Sequence, residues 1–182
     1  MSISDAASDP RTSQAAASAS PQSRRDEPAT PRAARPSQTR PVGTAEPPDA
    51  SRGAAVYLAR IREGWTRLTP QEAYAAQQAG AVIIDTRTAE QRAESAHIPG
   101  AFVIDRTVLE WRLDPSNDWR IPEATSWQTR YVVICRHGFS SSVAARALQD
   151  VGLVNATDVI GGYAAWVEAG LPTTHEPADV RF

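Results

Sequence analysis

The only cysteine of the chain, Cys135, stands at the end of an apolar run and just before a helical pattern, in VVICRHGFSSSVAARALQ (132–149). A thiol is a weak nucleophile until it ionises, and a free cysteine near pKa ~8.5 is only slightly ionised at neutral pH. The residues after Cys135 offer three ways to favour the thiolate. Gly138 permits a positive φ, so the loop Arg136, His137, Gly138, Phe139, Ser140 and Ser141 can turn several backbone N–H groups inward as an anion cradle. A helix starting near Ser140 or Ser141 adds the positive end of its dipole, and Arg136 and a protonated His137 add charge. One pKa unit is about 1.36 kcal/mol and a helix terminus supplies about 0.3–1 kcal/mol, so converging N–H donors must do most of the work. The competing reading of a lone cysteine is a small buried hydrophobe. The strand end, glycine loop and serine-rich helix start favour a nucleophile.

Positioning such a loop needs a sheet with helices. TPQEAYAAQQAG (69–80) predicts a helix with Thr69 as cap, Pro70 in its first turn, Glu72 closing a capping box and Gly80 as stop. AVIID (81–85) and YVVIC (131–135) are short all-apolar runs, as expected of strands covered on both faces. AFVID (101–105) and the strand in ATDVIGG (156–162) complete the strong candidates, and WTRL (65–68) reads as a short extended piece. Helical patterns occupy 52–64, 88–96, 106–114, 140–152 and 163–170; in the fourth, Val143, Ala147, Leu148 and Val151 are expected on the buried face. Residues 114–130 read as an irregular connection, with Trp111, Trp119 and Trp127 expected as core or lid anchors. Alternating strands and helices imply an α/β domain with a mostly parallel sheet, whose ligands bind beyond the carboxyl ends of the strands. Cys135 is at such an end.

Composition divides the chain of 182 residues. Residues 1–50 hold eight of the 14 prolines, no aromatic residue, and six arginines balanced by six acids. Such a segment buries too little apolar surface to offset the entropy of ordering it, so 1–51 is expected to be a disordered tail and 52–182 the folded domain. The tail has no apolar core of a secretory signal. Beyond Arg52, twelve arginines face fifteen acids, which argues against a nucleic-acid backbone binder. No stretch reaches the ~18 apolar residues of a membrane span. One cysteine excludes a disulfide framework and a cysteine-rich metal site within the chain, and His97, His137 and His175 lack metal-ligand spacing. The expected setting is the reducing cytoplasm, with no metal or organic cofactor.

Four segments in order resemble the rhodanese-like domain family: IIDTR (83–87), HIPGA (97–101), the loop and helix from Val132 to Leu148, and VIGGYAAWVEAGLP (159–172). The resemblance implies a five-stranded parallel sheet flanked by helices, and a sulfurtransferase. In such an enzyme Cys135 takes a sulfane sulfur from a donor such as thiosulfate as a persulfide and passes it to cyanide or a thiol. A small sulfane donor, a thiophilic acceptor and a protein acceptor of sulfur are the partners implied. Asp85 and Arg87 are expected to form a supporting charge pair, and His97 to brace its turn. Gly161 and Gly162 are expected to permit close backbone approach. Two departures stand out. Ala96 occupies a position where many relatives carry glycine, and Phe139, Ser140 and Ser141 occupy positions where many carry an arginine. The serine hydroxyls are candidates to bind a donor's oxygens, and at least one is expected to cap the helix. A phosphatase of similar shape needs arginine six residues after its cysteine, and here that residue is Ser141. A non-catalytic binding or regulatory module and a protein-to-protein sulfur relay are the remaining alternatives; the binding modules commonly lack the cysteine that this chain keeps.

Overall fold

The computed structural model describes residues 52–182, so the expected tail of 1–51 lies outside the described residues. Five strands form one sheet: β1 (Val82–Asp85), β2 (Phe102–Val103), β3 (Tyr131–Ile134), β4 (Thr157–Asp158) and β5 (Asp179–Val180). Their order is β4-β3-β1-β2-β5 and every pairing is parallel. The helices are α1 (Ala54–Arg62), α2 (Pro70–Gln78), α3 (Ala89–Ala93), α4 (Leu109–Leu113), α5 (Ser140–Asp150) and α6 (Gly162–Glu168). Among the described residues no helix is long and apolar enough to cross a membrane.

Strand alternation divides the core in two. Tyr131 and Val133 of β3 join Ile84, Leu109, Leu113, Ala144, Ala145 and Leu148 on the α4/α5 face. Val132 and Ile134 join Ile83, Ala73, Ala76, Tyr163 and Trp166 on the α2/α6 face. Both faces of β1 and β3 are covered, which is why their sequences are apolar without alternation. Each fully buried Val or Ile in them contributes roughly 1.5–3 kcal/mol relative to exposure. Because all strands run the same way, the segments after β1, β3 and β4 emerge at one edge of the sheet.

The α2 boundary is as expected: Thr69 accepts from the Glu72 N–H, Glu72 accepts from the Thr69 N–H, and Pro70 opens the helix. Elsewhere the structure adds to the expectations or corrects them. The fifth strand is Asp179–Val180, both exposed, paired with β2. The WTRL segment contributes one parallel bridge, Leu68 to Val159, beside β4. The buried face of α5 carries Ser141, Ser142, Ala144, Ala145 and Leu148, while Val151 is exposed. The helix turns Ser141 and Ser142 inward, and their hydroxyls find partners there. Trp111, Trp119 and Trp127 are exposed, so none is a core anchor; the fully buried tryptophan is Trp166. Trp166 donates its indole N–H to the Pro172 carbonyl and meets Tyr74 edge-on.

Candidate active site

Cys135 directly follows β3, and continuing the strand's parity carries it to the α5 side. It is 6% exposed. Its S–H donates to Ser141 Oγ at 3.3 Å, and its Sγ accepts from the Ser141 N–H at 3.4 Å. Burial pushes the thiol up. The hydroxyls of Ser140 and Ser141 and the N–H groups of Ser141 and His137 more than offset this, and the net direction is down from the ordinary thiol value.

The orientation of the loop's peptides follows from where its carbonyls go. The Cys135 carbonyl accepts from Tyr163 N–H at 2.8 Å and the Arg136 carbonyl from Ala164 N–H at 3.0 Å, both in the first turn of α6. The Gly138 carbonyl accepts from Arg62 Nη2 at 2.6 Å and from Arg67 Nη2 at 3.2 Å. A trans peptide holds its N–H opposite its C=O, so fixing these carbonyls fixes the N–H groups of Arg136, His137 and Phe139 on the other side. Two glycines make the approach possible. Gly138 has φ 77°, and a Cβ on Gly162 (φ 63°) would sit 2.4 Å from the Cys135 oxygen and 2.5 Å from the Gly138 nitrogen.

Placement of the expected residues is uneven. Gly138 and Ser141 are buried with Cys135, whereas His137, Phe139 and Ser140 are exposed. Arg136 points to the surface, with Glu94 at 3.5 Å. Arg136 and His137 line a cleft of about 470 Å³ beside the loop, together with Arg87, Ser95, Tyr163 and His175. Neither serine caps α5: the N-cap is Phe139, without a side-chain bond. Ser141 Oγ instead donates to Asp158 Oδ2 at 3.0 Å. Asp85 and Arg87 form a fully buried bidentate pair, Nη2 to Oδ2 at 2.7 Å, with the guanidinium 3.5 Å over the Tyr163 ring. His97 exchanges both backbone hydrogen bonds with Thr174, each 2.8 Å, which braces its turn.

Sequence reasoning missed four residues that converge behind the loop. Asp158, fully buried on β4, accepts from Arg67 Nε at 2.7 Å and from Ser142 Oγ at 2.8 Å. Arg62, the last residue of α1, donates from Nε to Ser142 Oγ at 2.9 Å. Asp158 had a usable signal, a carboxylate inside the strand before the glycine pair. Arg62, Arg67 and Ser142 had none.

A family model described as the rhodanese-like domain matches residues 69–169. The chain belongs to this family. Thiosulfate sulfurtransferase GlpE of Haemophilus influenzae is 31% identical over 105 residues, which is 58% of this chain and 90% of that protein. GlpE of Actinobacillus succinogenes is 32% identical over 109 residues, 59% and 89% of the two chains. Among solved structures, a rhodanese-related protein from Thermoplasma volcanium superposes with TM-score 0.50 at 26% identity, covering 62% of this chain and 100% of that one. A Rhodopseudomonas palustris protein of unknown function, titled a possible tyrosine phosphatase, superposes with TM-score 0.61 at 30% identity, covering 70% and 98%. The matched residues thus take in β1 to β4, the cysteine loop and α6. Arg62 and Arg67 precede the matched residues.

Proposed function

We propose that this rhodanese-like domain is a sulfurtransferase that works through a Cys135 persulfide. The reading is carried by the Cys135 Sγ, set beside the Ser141 N–H and hydroxyl in a loop whose carbonyls are tied away. The Cys135 thiolate attacks the outer sulfur of a donor such as thiosulfate. An Sγ–S bond forms, the donor's S–S bond breaks, and sulfite leaves with the electron pair. Cyanide or a thiolate then attacks the outer sulfur, and the electron pair returns to Sγ. Thiolate and perthiolate are both anions, so one set of N–H donors serves both states. A covalent intermediate predicts ping-pong kinetics.

Phosphoryl transfer is disfavoured on the same geometry. The residue six after Cys135 is Ser141, bonded to a carboxylate, where an oxyanion clamp needs a guanidinium.

Mass spectrometry of the full chain after incubation with thiosulfate tests the proposal. The expected result is a gain of one sulfur atom on Cys135, lost on adding cyanide and absent from Cys135→Ser. No adduct with thiosulfate or any other sulfane donor would overturn it and leave a binding module.

A further inference from the structure

The loop's three fixed carbonyls are held in two different ways. Those of Cys135 and Arg136 are held by backbone amides of α6, inside the residues the family model matches. That of Gly138 is held by two guanidiniums, Arg62 and Arg67, from outside that segment, together with the Ser142 hydroxyl at 3.1 Å from within it. The same guanidiniums reach the two serines behind the cysteine: Arg62 directly at Ser142, and Arg67 through Asp158, which accepts from both Ser141 and Ser142.

We propose that Arg62 and Arg67, linked by the shared Gly138 carbonyl and through Ser142 and Asp158, are positioning residues that hold the Cys135 loop from behind and supply the positive charge that favours the thiolate. Charge accounting supports this. Two guanidiniums and one carboxylate leave one net positive charge behind the loop, equal and opposite to one thiolate. The loop's own arginine, Arg136, is turned toward Glu94 at the surface, and the Asp85–Arg87 pair after β1 is internally neutral. His137 is exposed. Arg62 itself is held below the usual guanidinium range, by burial first and then by Arg67, while Asp158 and the Cys135 thiolate act in the opposite direction. Geometry makes the same point. The Gly138 carbonyl, pinned at 2.6 Å and 3.2 Å, fixes the peptide that carries the Phe139 N–H. A forked guanidinium bonds a carbonyl and a hydroxyl at once; lysine offers charge without that fork. Residues 54–67, which the family match leaves out, are in this view part of the reactive centre.

The proposal takes Cys135 as the reactive thiol of the previous section, but its readout is alkylation, which needs no sulfur donor. Iodoacetamide alkylation of Cys135 is followed against pH in the full chain. In Arg62→Met the rate at neutral pH is expected to fall roughly five- to tenfold, with the pH midpoint displaced upward. Arg62→Lys is expected to recover part of the loss. Arg146→Met, which removes the same charge from the exposed side of α5, is expected to match the wild type. A wild-type alkylation profile in folded Arg62→Met would overturn the proposal. If that variant does not fold, the unmodified chain decides: the Arg62 and Arg67 Nε–H resonances are expected to titrate with Cys135. Resonances that stay fixed through that titration overturn it too. A chain that alkylates as expected but takes no sulfur from any donor would sink the sulfurtransferase reading and leave the brace intact.

Discussion

Two aspartate–arginine pairs lie at the same edge of the sheet and do different work. Asp85 and Arg87 are two residues apart, both fully buried, and close on each other bidentately. The remaining guanidinium bonds go to Ser95 Oγ and the Ala96 carbonyl, and its face lies on Tyr163. Arg67 and Asp158 are 91 residues apart. Their remaining side-chain bonds go to Ser141, Ser142 and the Gly138 carbonyl, in or behind the cysteine loop, with one long contact of 3.5 Å from Arg67 to the Val159 carbonyl. A buried ion pair is weak evidence of stability by itself, because desolvation consumes most of the attraction. What separates these two is the third partner. The first pair ties α3 and the HIPGA turn to the sheet; the second ties the cysteine loop to the chain that precedes the matched domain.

The largest effect is expected from breaking the self-contained pair. Asp85→Ala strands a guanidinium with 1% side-chain exposure, and removal of one partner from such a pair costs about 3–5 kcal/mol. Urea denaturation measures it. In the protein that remains folded, the Cys135 alkylation rate at neutral pH is expected to change less than in Arg62→Met. An unchanged unfolding midpoint would mean that Arg87 finds water, and that the burial described above is wrong.

Asp158→Asn is milder for stability and more informative for chemistry. Asparagine keeps one oxygen for Arg67, whose side chain is 14% exposed, so the expected cost is about 1–3 kcal/mol. Its amide donates where the carboxylate accepted. The single Ser141 O–H, shared in the wild type between Asp158 Oδ2 at 3.0 Å and Sγ at 3.3 Å, then turns wholly to Sγ. The negative charge nearest the serines is also gone. Both changes favour the thiolate, so alkylation of Cys135 at neutral pH is expected to rise roughly two- to fivefold. The sign is opposite to that of Arg62→Met. A fall in rate would show that the carboxylate serves the loop only as a tether.

The same contrast explains what could be read from the sequence. Asp85 and Arg87 were legible because both ends of the pair sit in IIDTR, a local pattern. So were the Thr69 capping box, the apolar β1 and β3, and Gly138, each determined within a few residues. Arg62, Arg67, Ser142 and Asp158 acquire their roles from contacts 16 to 91 residues apart, which no local spacing encodes. The expectation of a serine cap on α5 failed for a related reason. Serine at a helix start favours capping when only local partners exist, but a buried carboxylate and a thiol offered Ser141 better ones. Trp111, Trp119 and Trp127 were misplaced because aromatic content alone does not say which side of an irregular connection faces the core. β5 was missed because two exposed residues after a proline carry no alternation.

The smallest effect is expected at His97, beside the self-contained pair. Burial lowers its pKa, and the Arg87 charge lowers it further, against Asp85, which raises it. Its Nδ1 has no hydrogen-bond partner among the described residues. Between the native value and about 6.5, the unfolded chain therefore binds more protons than the folded one. The associated stability is present above about pH 6.5, declines as the pH falls toward the native value, and levels off below it. His97→Gln removes this titration. Urea midpoints of wild type and variant, compared at about pH 8 and about pH 5, are expected to differ in one way: the wild type loses slightly more on acidification. Equal losses would place His97 in ordinary contact with water. A larger loss in the variant would mean that a protonated His97 is held by Asp85, drawing that carboxylate away from Arg87 and making the first pair as divided in its partners as the second.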